Sequence, residues 1–281
     1  VCGSDDFEPL RVLNGRPMVC CQECGLHYMN VRPSPELLQK VYAAEYFTAP
    51  RTQGDVSNYE ADKPNVLRFA RARLEVLERL LPGKGRLLDV GCALGFYLEA
   101  AKDRGWRVSG MDISDYAVDF ARERLGIEEV FRGTVETLDF PREHFDAIVC
   151  SLVFEHFLDP RACLAKMTGW LRPGGYLALK IPHAGGVMCR FTPERWFASH
   201  PDNHFCDYTP ETLNRLFLSA GIWPTEWLTE GIYPERFADA LELEDEQRSA
   251  FLELPGLREK YREFAARHLL GDSLVMFGRK L

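Results

Sequence analysis

The segment Leu87-Leu88-Asp89-Val90-Gly91-Cys92-Ala93-Leu94-Gly95-Phe96 constrains this chain most. It joins a short apolar strand, an acidic residue and a glycine turn that enters a helix. Arg86 to Val90 reads as a buried strand of a parallel sheet, and Gly91 and Gly95 let the backbone turn sharply and approach a ligand where a side chain would intrude. A helix starting near Phe96 then aims its unpaired N–H groups at whatever sits above the strand. A dinucleotide turn needs G-x-G-x-x-G and a phosphate loop needs G-x-x-x-x-G-K-[ST]; the spacing here, D-x-G-x-A-x-G, meets neither.

With these residues the chain resembles the class I S-adenosylmethionine-dependent methyltransferases, whose first motif is an acidic residue followed by G-x-G-x-G. Ala93 departs from that pattern and adds a methyl group beside the expected methionine moiety. Trp106 to Met111 reads as a second strand ending in Asp112, a carboxylate able to accept ribose hydroxyls, with a helix from Ser114 to about Leu125. Asp112 alone does not separate this cofactor from a dinucleotide. A third strand near Glu129 to Phe131 leads to Gly133-Thr134-Val135-Glu136, with Thr134 where the family commonly has Asp beside the adenine. His144 to Cys150 reads as the fourth strand, and Leu171-Arg172-Pro173-Gly174-Gly175 resembles the family's turn before the fifth. Glu155-His156-Phe157-Leu158-Asp159-Pro160 looks like its E-H-x-x-D-P segment. The resemblance runs from about Leu80 to Gly221 and resumes at Ser273 to Phe277.

What it implies is a Rossmann-like, seven-stranded, mostly parallel α/β sheet with a reversed last strand, a small N-terminal zinc-ribbon-like head and a helical insertion. The implied cofactor is S-adenosylmethionine, held by Asp89, Gly91, Cys92, Ala93, Gly95, Phe96, Asp112, Ile113, Thr134, Val135, Glu136, Cys150 and Ser151. The expected organisation is a head and linker over residues 1–45 and a methyltransferase domain over 46–281.

The 281 residues, 46% hydrophobic, suffice for one α/β domain with a substantial addition. No run reaches the ~18 to 20 apolar residues of a membrane span, and no basic-then-apolar leader opens the sequence, so the expectation is a cytoplasmic protein with no membrane partner. A net charge of −8 disfavours a general nucleic-acid binder, which needs clustered Lys and Arg.

Nine cysteines in such a chain suggest thiols or metal, not disulfides. Cys2, Cys20, Cys21 and Cys24 crowd the first 24 residues, and Cys21-Gln22-Glu23-Cys24-Gly25 has the form of a zinc knuckle. Val1-Cys2-Gly3 looks like half of a second knuckle whose first thiol would precede Val1, which makes Cys2, Cys21 and Cys24 the candidate ligands of a structural zinc. Cys20 is an alternative fourth ligand, and reduced cysteines in a small hairpin are the plainer reading. Four thiolates would close the shell and leave no catalytic position. The segments Arg32 to Leu37 and Tyr42 to Tyr46 resemble the family's link from such a head.

Asn65 to Leu81 reads as an amphipathic helix ended by Pro82-Gly83, with Val66, Phe69, Ala70, Leu74, Leu77 and Leu81 on one face. The polar stretch Thr48 to Tyr59 is either a cover for the cofactor or a linker. Acceptor-binding residues are expected in Pro182 to Tyr208, which carries His183, His200, His204, Arg190, Arg195 and Trp196. A second candidate is Gly231 to Leu270, a helical insertion that is either a lid or a homodimer contact. A sulfonium methyl is already activated, so positioning dominates, and a base is needed only for a hydroxyl or ammonium acceptor. His156, His183 and His204 are the candidates, with bracing of the loop before Pro160 and a bond at the helix start as competing roles for His156 and His204. The favoured activity is O-methylation of a small molecule such as a sugar, a quinone-like ring or a secondary metabolite. A carbon- or nitrogen-methylating enzyme, or a catalytically silent module docking a protein, are the alternatives.

Overall fold

A computed structural model describes residues 2–31, 44–49, 58–241 and 243–281. The family-like segment Arg32 to Leu37, most of the linker and Glu242 lie outside the described residues. Three head strands, β1 (Phe7–Leu13), β2 (Arg16–Cys21) and β3 (His27–Met29), precede a short helix α1 (Ala44–Thr48) and the long helix α2 (Lys63–Leu80). The main sheet then begins with β4 (Arg86–Val90), α3 (Phe96–Asp103), β5 (Arg107–Asp112), α4 (Asp115–Leu125) and β6 (Val130–Arg132). It continues with β7 (Phe145–Ser151), a 3-10 turn over Phe154–His156, α5 (Pro160–Trp170) and β8 (Leu171–Pro182). After β8 come α6 (Val187–Phe191), α7 (Pro193–Ala198), β9 (Cys206–Asp207), α8 (Pro210–Ser219) and β10 (Ile222–Glu230). The insertion supplies α9 (Pro234–Ala240), α10 (Asp245–Leu252) and α11 (Leu257–Arg267), and β11 (Ser273–Lys280) closes the sheet.

The seven-stranded order is β10-β11-β8-β7-β4-β5-β6. Every neighbouring pair from β8 to β6 is parallel, whereas β11 runs antiparallel to both β8 and β10. The chain winds outward from β4 to β6 and then crosses back to β7, so the strand order reverses between β4 and β7. Their carboxyl ends flank the crevice in which open α/β sheets bind ligands. Leu87, Leu88, Asp89 and Val90 are all buried, as a central strand covered on both faces requires. One face packs under α2, α3 and α4 through Leu74, Leu77, Leu98 and Ala121. The other packs under α5 and α8 through Leu164, Met167, Leu213 and Phe217.

Most of the expected strands and helices form within one or two residues of their sequence limits; the last strand runs to Lys280, three residues beyond Phe277, and two further differences concern the fifth and sixth strands. Leu171-Arg172-Pro173-Gly174-Gly175 does not precede the fifth strand but lies within it, as an irregular start where the pairing with β7 shifts between Phe145 and Ala147. The sixth strand, expected over Thr225 to Leu228, extends over Ile222–Glu230 because β11 offers it a partner along its whole length.

The head is stitched to the main body. Its antiparallel sheet takes β9 as a fourth strand, with His27 opposite Asp207 and Tyr28 opposite Cys206. Met18, Leu26 and Met29 share one apolar cluster with Phe154, Phe205 and Tyr208. A unit this small buries too little apolar surface alone, and that shared cluster supplies the remainder. The insertion is helical, as its periodicity predicts, and Phe237 rests on Phe191 of α6 with ring centroids 6.1 Å apart.

Candidate functional site

The glycine turn after β4 is shaped by contacts that exclude side chains. Gly91 has φ +72°, and a Cβ there would lie 2.3 Å from Val153 Cγ2. Gly95 caps α3 at φ +82°. Ala93 adopts φ +47°, a left-handed conformation that strains an L residue by about 1–2 kcal/mol and that a glycine would adopt freely. The family-like middle glycine is therefore a backbone requirement that Ala93 meets under strain.

Asp112 ends β5 and bridges two loops. One carboxylate oxygen accepts the Ala93 N–H and the other the Ser114 N–H, both at 2.9 Å. With the Ile113 N–H these bonds occupy three of the four lone pairs, so the group can hold both loops and still accept a hydroxyl proton from a ligand. Burial pushes its pKa up, against the Ser114, Ala93 and Ile113 N–H groups that favour the anion. Asp89 is 4% exposed. Burial, with the charge of Asp112, raises its pKa to about 8 against the pull of Arg73.

The remaining residues proposed for the cofactor are arranged around this bridge in several ways. Cys92 turns its thiol into the core, where Sγ would lie 2.9 Å from a Cβ on Gly110, and leaves only its backbone in the turn. Phe96 is buried in an aromatic cluster, 6.0 Å from Tyr59 and from Phe120. Phe47 of α1 joins the same cluster. Ile113 and Thr134 are half-buried and Val135 is buried. Glu136 is exposed and accepts a bond from the Cys163 thiol at 3.3 Å, so its carboxylate is turned towards α5. Cys150 is fully buried, while the Ser151 hydroxyl accepts from Arg73 at 2.9 Å.

That last bond belongs to a charged network absent from the sequence reading. Arg73 grips Glu230 with Nε at 2.9 Å and a second nitrogen at 3.2 Å, and Lys180 Nζ reaches the same carboxylate at 2.7 Å. The signal for Arg73 was present, since it sits three residues after Ala70 on the apolar stripe of α2. A charge on a buried stripe needs a buried partner.

The three candidate histidines occupy different settings. His183 is 1% exposed, with Nδ1 bonded to the Gly271 carbonyl at 3.2 Å and a pKa lowered to about 4, chiefly by burial. His156 and His204 meet edge to face, with ring centroids 4.8 Å apart. His156 Nδ1 donates to the Asn203 carbonyl at 2.7 Å. His204 Nε2 lies 4.0 Å from Glu155 Oε1, and burial together with the neighbouring imidazoles lowers its pKa to about 2. A cavity of about 150 Å³ opens beside this group, lined by Pro182, Trp196, Ser199, His200 and His204. The structure thus brings His156 and His204 together and leaves His183 apart, outside the lining of that cavity.

These buried acids predict a pH dependence of stability. Asp89 stays protonated in the folded chain to about pH 8, well above its ordinary value near 3.8, so between those limits the folded state holds the extra proton. Stability therefore falls as pH rises through that window. The buried histidines act oppositely, but only below their ordinary value of 6.5, because they are neutral in the fold and charged when unfolded below it. From pH 6.5 to 8 the melting temperature is expected to decline, and less so in Asp89→Asn. Equal slopes in thermal melts of the two proteins would refute this.

In the head, Cys2, Cys21 and Cys24 place their sulfurs within 4.8 Å of one another, with 3.5 Å between the first two. Burial pushes the Cys21 thiol up, but the N–H groups of Cys24 and Glu23, together with the thiols of Cys2 and Cys24, outweigh it and bring its pKa below the usual thiol value. Such converging N–H groups are what a metal-bound thiolate requires. Cys20 stands apart, its thiol directed at the Cys21 carbonyl 3.7 Å away.

Residues 88–179 match the family model described as a methyltransferase domain. The malonyl-[acyl-carrier protein] O-methyltransferase of Serratia marcescens is 29% identical over 157 residues, 54% of this chain and 60% of that protein. The ubiquinone biosynthesis O-methyltransferase of Dinoroseobacter shibae is 30% identical over 162 residues, 52% of this chain and 63% of that protein. The chain thus spans less than two thirds of the length of these curated relatives. The solved geranyl diphosphate C-methyltransferase of Streptomyces coelicolor A3(2), a complex with Mg2+, geranyl diphosphate and S-adenosyl-L-homocysteine, superposes with a TM-score of 0.55 at 15% identity, covering 89% of this chain and all of that one. With the sheet order and the turn after β4, these matches define a class I S-adenosylmethionine-dependent methyltransferase domain in this chain. Among the described residues no helix is long and apolar enough to cross a membrane.

Proposed function

We propose that this chain methylates a hydroxyl oxygen of a small molecule, using S-adenosylmethionine. The observation that carries the reading is the Asp112 bridge, a buried carboxylate that fixes the glycine turn and keeps a lone pair for a ribose hydroxyl at the switch point of the sheet. Asp89, the backbone from Gly91 to Gly95, Phe96, Ile113, Thr134, Val135 and Ser151 complete the proposed cradle. When bound, the cofactor supplies a methyl group on a sulfonium, so a C–O bond forms as the S–CH3 bond breaks and its electron pair returns to sulfur. The chain's task is alignment and exclusion of water. The cavity beside His204 would seat the acceptor at the carboxyl end of β8. Glu155, His156 and His204 would take the hydroxyl proton, and the curated relatives, named as O-methyltransferases, support oxygen as the target.

The head, with Cys2, Cys21 and Cys24 as ligands of a structural zinc, would brace the 199–208 segment through β9. Calorimetric titration with S-adenosylmethionine and S-adenosylhomocysteine tests the cofactor assignment. Micromolar binding of both is expected and leads to an acceptor screen read by product mass. Absence of binding to ligand-free protein favours a silent module that docks a partner.

A further inference from the structure

We propose that Glu155, His156 and His204 form a second metal site, separate from the thiols of the head, that takes a divalent transition metal of the zinc class with one coordination position open to the adjoining cavity. Their ligand atoms already lie within 4.8 Å of one another. Glu155 is 1% exposed, and neither of its carboxylate oxygens has a hydrogen-bond partner among the described residues. A buried carboxylate without such bonds is costly unless it takes a proton or a cation compensates it, and His204 Nε2 lies 4.0 Å from one of its oxygens. One carboxylate and two imidazoles suit zinc, iron or cobalt, and offer too few oxygens for calcium or magnesium.

The backbone fixes the spacing of these ligands in advance. The Phe205 N–H donates to the Glu155 carbonyl at 2.8 Å, and the His156 ring donates to the Asn203 carbonyl at 2.7 Å, so the 3-10 turn and the 199–205 segment are tied at two points. The Asn203 bond is also the kind that sets the tautomer of a ligand imidazole. His156 has a second backbone bond, with Leu152, which coordination would replace. Beside His204 the His200 ring packs edge-on at 5.5 Å, itself held by Asp207 Oδ1 at 3.1 Å, which limits the movement of the His204 ring on that side. Three protein ligands leave a tetrahedral ion one position, and His204 places it at the wall of the 150 Å³ cavity. An acceptor oxygen held there would be acidified directly and release its proton to water, the three side chains then serving as ligands in place of proton acceptors; this deepens the O-methylation reading, although the site itself is independent of it.

Cobalt(II) titration of the chelator-stripped full chain, without S-adenosylmethionine, separates the two sites. The thiol cluster gives thiolate-to-cobalt charge-transfer absorption, whereas a carboxylate–imidazole site gives visible d–d bands alone. The expected result is a component lacking charge transfer that survives in Cys21→Ser. It should weaken by about a hundredfold or more in Glu155→Gln, since even an outer-partner change costs up to that much. Glu155→Gln preserves side-chain shape, and circular dichroism checks its fold. Cobalt bound only with charge-transfer absorption, or bound by Glu155→Gln as tightly as by the unaltered chain, overturns the proposal. Failure of the methyltransferase reading appears instead in the cofactor titration.

Discussion

Glu230→Gln is expected to destabilise the fold by about 3–5 kcal/mol, the range for breaking a buried ion pair so that charge is left uncompensated. Glu230 is the anion between two cations: Arg73 engages both its oxygens and Lys180 reaches one at 2.7 Å. Without it, two buried positive groups face each other. Arg73→Met should cost less, because the Glu230–Lys180 pair survives its loss. The ordering of the two variants in urea denaturation is the discriminating result, and equal or reversed costs would show that Glu230 is not the hub. The deficit of Glu230→Gln should also shrink as pH rises. Burial and Arg73 already push the Lys180 pKa down, Glu230 opposes them ahead of Glu155, and without the Glu230 carboxylate Lys180 sheds its proton more readily. The network ties α2 to the ends of β7, β8 and β10, beside Ser151 and Asp89, so its loss loosens the wall of the proposed cofactor site.

The strands and helices of the sheet were legible because their signals are local. Leu87 to Val90 is a continuous apolar strand broken by one acid, and Ser114 caps α4 with its own hydroxyl at the expected place, accepting the Ala117 N–H. Asp159 with Pro160 opens α5 in the same way, and Thr209 with Thr212 opens α8. What the sequence left obscure depends on residues far apart in the chain. Arg73, Lys180 and Glu230 meet only because β8 and β10 flank β11 beneath α2. The pairing of β3 with β9 joins His27 to Asp207 and Tyr28 to Cys206, residues 180 and 178 positions apart, which no periodicity announces. Glu155 was visible as a motif letter but not as a buried acid, since the segment tied to it, through the Phe205 N–H and the Glu155 carbonyl, lies 50 residues further along the chain. His156 and His204 were named singly as bases. Their closeness is a property of the folded chain.

Asp112→Ala is expected to weaken S-adenosylmethionine binding by about 1.5–3 kcal/mol, roughly ten- to 150-fold, as for hydrogen bonds to a charged group. Two losses combine in that value. The ribose hydroxyls lose their acceptor, and the N–H groups of Ala93 and Ser114 lose the oxygens that hold the two loops together. The second loss matters here because Ala93 is held at φ +47°, a strained conformation that the bond to Asp112 helps to maintain. Asp112→Asn separates the two. An asparagine keeps one acceptor oxygen and replaces the other with a donor that faces an N–H, so one loop bond survives while the charge is lost. If the loop bonds dominate, Ala93→Gly in the Asp112→Ala background should recover part of the affinity, because glycine adopts the turn without strain. If the hydroxyl bonds dominate, Ala93→Gly should recover nothing. Calorimetry on the three variants decides between them, and unchanged affinity in Asp112→Ala would remove this carboxylate from the cofactor site altogether.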